Sequence, residues 1–69
     1  MKISARNVLP GTIVAIVRGP VTTEVTLEIA PGVQIVSTIT SNSAESLKLA
    51  EGGKVYGVIK ASSVMVATD

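Results

Sequence analysis

Ser4 and Arg6 stand two positions apart near the start of the chain, and Lys60, Ser62 and Ser63 follow an apolar run near its end. Together they supply a guanidinium, an ammonium and several small hydroxyls. Thr40, Ser41 and Ser43 add further hydroxyls in the middle of the chain. Groups of these kinds are suited to donating hydrogen bonds to a tetrahedral oxyanion, while their positive charge offsets the cost of partly burying a dianion.

Other chemistry is poorly provided for. The chain has no histidine and no cysteine, and Glu24, Glu28, Glu45, Glu51 and Asp69 include no close catalytic pair. General acid–base and nucleophilic catalysis therefore lack their usual groups, and no enzyme is expected. Transition metals favour imidazole or thiolate, and calcium favours clustered carboxylates, so no metal cation site is expected either. Six basic residues against five acidic ones leave a net charge of +1, too little to attract a polyanion over a broad surface. The only aromatic residue is Tyr56, whereas single-strand binders stack successive bases on rings.

The elements that must position these residues can be read from turn signals and periodicity. Gly11 to Arg18 is a β-branched apolar run between Pro10-Gly11 and Gly19-Pro20, and reads as a strand. From Val21 to Ile29, Val21, Thr23, Val25, Leu27 and Ile29 fall on one face and Thr22, Glu24, Thr26 and Glu28 on the other. Pro31-Gly32 turns the chain into a second alternating strand, Val33 to Thr40, giving an antiparallel hairpin. Ser41 to Leu49 reads as a short helix, capped by Ser41 or Asn42 and ended by Gly52-Gly53, with Ala44 and Leu47 on one face. Lys54 to Lys60 and Ser63 to Ala67 read as two more strands with a kink at Ala61-Ser62, and Ile3 to Asn7 as an extended N-terminal strand. Five or six short strands plus one helix indicate a small closed barrel, and a helix between the third and fourth strands of a five-stranded barrel is the arrangement of the oligonucleotide/oligosaccharide-binding (OB) Greek-key barrel, an all-β fold.

A chain of 69 residues forms one domain, 1–69, and alone buries only about 60% of its unfolded surface. It has no disulfide and no zinc to compensate. Ile13, Ala15 and Val17 alternate with Val14 and Ile16, and Val55 and Ile59 oppose Tyr56 and Val58, so two strands are apolar on both faces. Both features predict a homo-oligomer. No apolar run reaches the ~18 residues of a membrane span, and Met1-Lys2 leads into Ser4 and Arg6 rather than a signal-peptide core, so a cytoplasmic protein is expected.

Each candidate has a plainer explanation. Thr40 to Ser43 opens the predicted helix, where free N–H groups favour an anion, but capping alone explains those residues equally well. Arg6, two residues from Ser4 on the same face of an extended segment, offers a planar fork of donors, yet suits a surface or interface salt bridge too. Lys60 ends an apolar strand, where a lysine is commonly just solvated. The Gly19-Pro20-Val21-Thr22 turn exposes amides, as many such turns do.

Five segments in order carry a resemblance: Ser4-Ala5-Arg6-Asn7, Gly11-Thr12-Ile13, Glu24-Val25-Thr26-Leu27-Glu28-Ile29, Ile39-Thr40-Ser41-Asn42-Ser43, and Val58 through Val66. Nearly end to end, the chain resembles the molbindins, the small molybdenum-pterin-binding or Mop family. That module also occurs in molybdate-responsive regulators and molybdate-transport ATPases. The resemblance implies an OB-type barrel assembled as a hexamer, a trimer of dimers, holding molybdate or tungstate at subunit interfaces for storage and homeostasis without turnover. It implies a main site of Ser4, Arg6, Lys60 and the Ala61 amide, with Thr40 and Ser43, drawn from neighbouring subunits. It further implies a secondary site near a symmetry axis, using Pro20, Val21, Thr22 and Ser62. The family often has a polar residue after the lysine; Ala61 can contribute only its N–H. The other readings to be weighed are an OB-type nucleic-acid-binding module and a purely structural oligomerisation module.

Overall fold

β1 (Asn7–Arg18), β2 (Thr22–Ala30) and β3 (Val33–Thr40) form an antiparallel meander, and the six-residue α1 (Ser41–Ser46) leads to β4 (Lys54–Ile59), which returns beside β1. The computed structural model describes all 69 residues. Sheet order β3-β2-β1-β4 is the Greek-key order. The fold is thus all-β with one short helix, and its single sheet has four strands rather than five or more. No helix is long and apolar enough to cross a membrane.

Two expected strands are absent. Residues 3 to 6 precede the sheet without joining it, and Ser63 to Ala67 do not pair: a 3-10 turn over Ala61–Ser63 occupies the kink, and the segment beyond it runs free. Conversely, β1 starts at Asn7 and runs through Pro10-Gly11, which the sequence suggested as a turn. Proline is tolerated there because Asn7 to Gly11 pair with β4 alone, so one side of the strand needs no N–H donor at that level.

The faces of β1 also differ from a simple alternation. A bulge at Val14 shifts the register between Ile13↔Leu27 and Ala15↔Thr26, so Ile13 and Ile16 lie on the same side. Ile13, Val25 and Leu27 form the buried centre, surrounded by Ile16, Ile29, Ile35, Ile39, Leu49 and Val55. On β2 the alternation holds, with Thr23, Val25 and Leu27 all buried. Only 6 of the 69 residues are buried, while Val14, Val17, Val36, Tyr56 and Val58 stay exposed, which leaves this chain short of apolar cover.

Helix α1 is capped by Thr40, not by Ser41 or Asn42, and stops earlier than the glycine pair suggested. Lys48 takes the left-handed conformation (φ 53), with Lys48 N–H bonded to the Glu45 carbonyl and Leu49 N–H to the Ala44 carbonyl at 3.0 and 3.1 Å. This is a Schellman stop with lysine in the usual glycine position. It turns Leu49 onto the core, whereas Leu47, expected there beside Ala44, is exposed.

Candidate oxyanion site

Asn7 sits opposite Ile59 in the β1–β4 ladder, so the segments just before β1 and just after β4 leave the sheet side by side. The Asn7 Nδ2 donates to the Ile59 carbonyl at 3.2 Å and pins that junction. Between the two segments lies an open cleft of about 470 Å³ lined by Ile3, Ser4, Ala5, Arg6, Lys60, Ala61 and Ser62. Four of the six main-site candidates therefore meet within one chain.

The cleft has the electrostatics an anion needs. No carboxylate lines it, and neither Arg6 nor Lys60 takes part in the side-chain hydrogen bonds of the folded chain. The other cations with a hydrogen bond are engaged elsewhere: Arg18 donates to the Leu49 carbonyl at 2.9 Å and Lys54 to the Thr12 hydroxyl at 2.8 Å. In the 3-10 turn, Ser63 N–H bonds the Lys60 carbonyl and Val64 N–H the Ala61 carbonyl. The first amides of that turn, at Ala61 and Ser62, find no acceptor inside it.

Thr40 and Ser43 are elsewhere. They lie where β3 enters α1, beside the far end of β1: Thr40 pairs with Thr22, and Thr23 with Arg18. Twelve residues of β1, rising about 3.3 Å each, separate this end from the cleft. Thr40 Oγ1 accepts from the Ser43 N–H at 3.1 Å, the capping role foreseen as the plain alternative, and donates to Ser43 Oγ at 2.7 Å. Having accepted Thr40's proton, the Ser43 hydroxyl keeps its own proton to give away.

The secondary set divides in the same way. Pro20, Val21 and Thr22 are exposed beside Thr40 and Ser43, while Ser62 lines the cleft at the other end. The turn holding the first three is tight: Gly19 N–H bonds the Thr22 carbonyl at 3.0 Å, and a Cβ at Gly19 would stand 2.6 Å from that oxygen. Only glycine fits there without displacing backbone.

A chain of hydroxyls fastens this turn to the helix. Ser41 Oγ donates to the Gly19 carbonyl at 2.6 Å, and Thr23 Oγ1 lies 2.8 Å from Ser41 Oγ. Since Ser41's single proton goes to Gly19, Thr23 must be the donor to Ser41. The positioning roles of Asn7, Thr23 and Ser41 escape a motif search. A signal was present for Thr23, a hydroxyl on the apolar face of β2 that has to find a partner once buried.

Fold and site together define a small Greek-key β module whose two ends carry separate sets of hydrogen-bond donors. The TOBE-domain family model matches residues 3–66. The chain belongs to this family and, within it, to the molybdenum-pterin-binding (Mop) proteins. It is 48% identical over 66 residues to molybdenum-pterin-binding protein 3 of Clostridium pasteurianum, covering 96% of this chain and 97% of that one. It is 49% identical to the molybdenum transport protein ModE of Herbaspirillum seropedicae, but spans only 26% of that protein's length. Among solved structures, MopII from Clostridium pasteurianum superposes with a TM-score of 0.91 at 45% identity, covering 97% of this chain and 100% of the other. A molybdate-binding protein from Sporomusa ovata gives the same TM-score of 0.91 at 37% identity, covering 99% and 100%.

Proposed function

We propose that this protein binds molybdate or tungstate, unchanged, in a homo-oligomer that stores the oxyanion and buffers its level in the cytoplasm. The observation that carries this reading is the cleft that gathers Ser4, Arg6, Lys60 and Ala61 without a carboxylate. Arg6 and Lys60 together match the two charges of the dianion, and Ser4 and the Ala61 amide supply neutral donors. Relatives named for molybdenum-pterin or molybdate binding support the choice of anion. The cleft lining has no aromatic ring on which a pterin could stack, which favours the bare oxyanion.

The separation of Thr40 and Ser43 from the cleft supports a site built by two chains. On this reading the hydroxyls of one subunit close over the cationic cleft of its neighbour, in a hexamer arranged as a trimer of dimers. The secondary set follows the same logic, Pro20 to Thr22 of one subunit approaching Ser62 of another. Assembly would also bring the four-stranded sheet to the five-stranded barrel expected from the sequence. Size selection against sulfate then comes from donor placement: an anion too small for the gap leaves donors unpaired. The role is binding, with no turnover.

Native mass spectrometry with molybdate, tungstate or equimolar sulfate tests the reading. A hexamer that gains several molybdate or tungstate masses and no sulfate is expected. An assembly that binds no oxyanion would refute it in favour of a structural oligomerisation module. Strongly salt-dependent binding of single-stranded nucleic acid would favour the OB-type alternative.

A further inference from the structure

β1 and β4 pair from Thr12↔Lys54 to Asn7↔Ile59, and there the ladder stops. Continued by one step, the same register would set Arg6 against Lys60. Like charges directly opposite each other disfavour strand pairing, so the ladder ends where the two cations of the cleft begin. That end is also thinly supported. Asn7 to Gly11 pair with β4 alone, because β2 joins β1 only from Thr12 onward. A two-stranded ribbon is marginal by itself, and its last rung opens most easily. The charged walls of the cleft are therefore carried on a lightly held rung.

Two side-chain hydrogen bonds tie β1 to β4, one at each end of the pair. At the far end Lys54 Nζ donates to Thr12 Oγ1 at 2.8 Å. At the cleft end Asn7 Nδ2 donates to the Ile59 carbonyl at 3.2 Å. That carbonyl shares a planar peptide with the Lys60 N–H, so holding its oxygen fixes the plane from which Lys60 leaves the strand. The next two carbonyls are held as well, Lys60 by the Ser63 N–H at 2.8 Å and Ala61 by the Val64 N–H at 3.3 Å. In a trans peptide the N–H points opposite to the C=O, so these bonds also fix the direction of the Ala61 and Ser62 amides. Asn7 supplies the one side chain in this series, and it does not line the cleft.

We infer that Asn7 is a positioning residue of the oxyanion site: it touches no anion itself, but its bond to Ile59 holds the Arg6 and Lys60 walls at one separation before the anion arrives. The inference rests on the cleft being the molybdate or tungstate site. Walls already in place need no further ordering when an anion joins them, so the bond raises affinity by preorganisation. It can lend the site no more than its own free energy, which for a neutral hydrogen bond sets the effect at about 2- to 10-fold. A carboxamide suits the task because it donates without bringing charge. An aspartate there could only accept, and would place beside the cleft the carboxylate that its lining lacks.

The test is calorimetric titration of the full chain with molybdate, with urea denaturation of each variant as the check on folding. Asn7→Leu, which has no donor, should weaken binding by about 2- to 10-fold. Asn7→Ser, whose hydroxyl stops one bond short of Ile59, should do the same. Thr12→Val, which removes the Lys54 bond at the opposite end of the same strand pair, should leave affinity unchanged. In a Lys60→Ala background no pair of cations remains to be spaced, so Asn7→Leu should cost no further affinity there. Wild-type affinity in both Asn7 variants would overturn the inference. So would an equal loss with and without Lys60, or an equal loss in Thr12→Val, since either marks a general effect on the fold. A wild-type chain that took up no molybdate would overturn the reading of the cleft itself, and the positioning role with it.

Discussion

Removing the Ser41 hydroxyl should destabilise the protein more than removing the Thr23 hydroxyl that bonds to it, although Thr23 is the more buried. Thr23 is 1% exposed and gives its proton to Ser41 Oγ, 2.8 Å away, while Ser41 gives its proton to the Gly19 carbonyl at 2.6 Å. Thr23→Val deletes one donor and leaves Ser41 with its acceptor intact, a loss of about 0.5–1.5 kcal/mol for the hydrogen bond. Ser41→Ala deletes the bond to Gly19, again about 0.5–1.5 kcal/mol, and also strands the buried Thr23 proton, adding about 1–3 kcal/mol. In the Thr23→Val background no proton is left to strand, so Ser41→Ala should cost only about 0.5–1.5 kcal/mol there. The coupling is the difference, about 1–3 kcal/mol. Urea denaturation of the four species at one fixed protomer concentration measures it, since the proposed assembly would make stability depend on concentration. Equal costs for Ser41→Ala in both backgrounds would refute the proton order assigned to this chain of hydroxyls.

Other expectations can be checked in parallel. Arg6→Ala and Lys60→Ala should each weaken molybdate binding by roughly 10- to 150-fold in calorimetric titration, from the loss of about 1.5–3 kcal/mol of charge-assisted hydrogen bonding. Neither should lower the melting temperature by more than a few degrees, because both side chains are exposed and unbonded; unchanged affinity in both variants would discredit the cleft as the site. Gly19→Ala should destabilise by about 1–3 kcal/mol, because the new Cβ meets a backbone oxygen at 2.6 Å; a neutral result by urea denaturation would mean the turn relaxes freely. Lys48→Gly should stabilise by about 0.5–1 kcal/mol, as relief of the left-handed strain exceeds the added chain entropy. A lower urea midpoint in that variant would count against the strain.

Where the pattern is local, the sequence was legible. The β2–β3 hairpin follows from alternation around Pro31-Gly32, and Thr23, Val25 and Leu27 are buried as the period of two requires. The cleft was legible too, because Arg6 and Lys60 adjoin the two strand ends that pair at Asn7 and Ile59. The rest depended on information that is not local. A bulge cannot be read from alternation, so the shift at Val14 reversed the expected facing of Ile16 relative to Ile13. Proline inside β1 is acceptable only because β2 begins to pair two residues later, at Thr12. The helix ends at Ser46 rather than near Gly52, with Lys48 left-handed just beyond its cap, because tertiary packing of Leu49 outweighs the cost of a lysine in that region. Ser63 to Ala67 has the composition of a strand, but a strand needs an edge to pair with, and composition does not show whether one is within reach.

The division of donors between the two ends of β1 makes anion binding and assembly a single equilibrium on the proposed reading. A lone chain can offer the cationic cleft with Ser4, but not the hydroxyls of Thr40 and Ser43, so its affinity for the anion lacks their contribution. An anion held by donors from two chains binds the assembly more tightly than its parts, and must therefore strengthen the assembly by the same free energy. A store built in this way responds to its cargo: as molybdate rises it favours the assembled form that holds it. As molybdate falls, the loss of each anion removes the group that joined the cleft of one chain to the hydroxyls of the next, and the contact weakens by the same free energy. The absence of a carboxylate from the cleft is what makes this possible, since a fixed counter-charge would neutralise the two cations whether or not the anion was present.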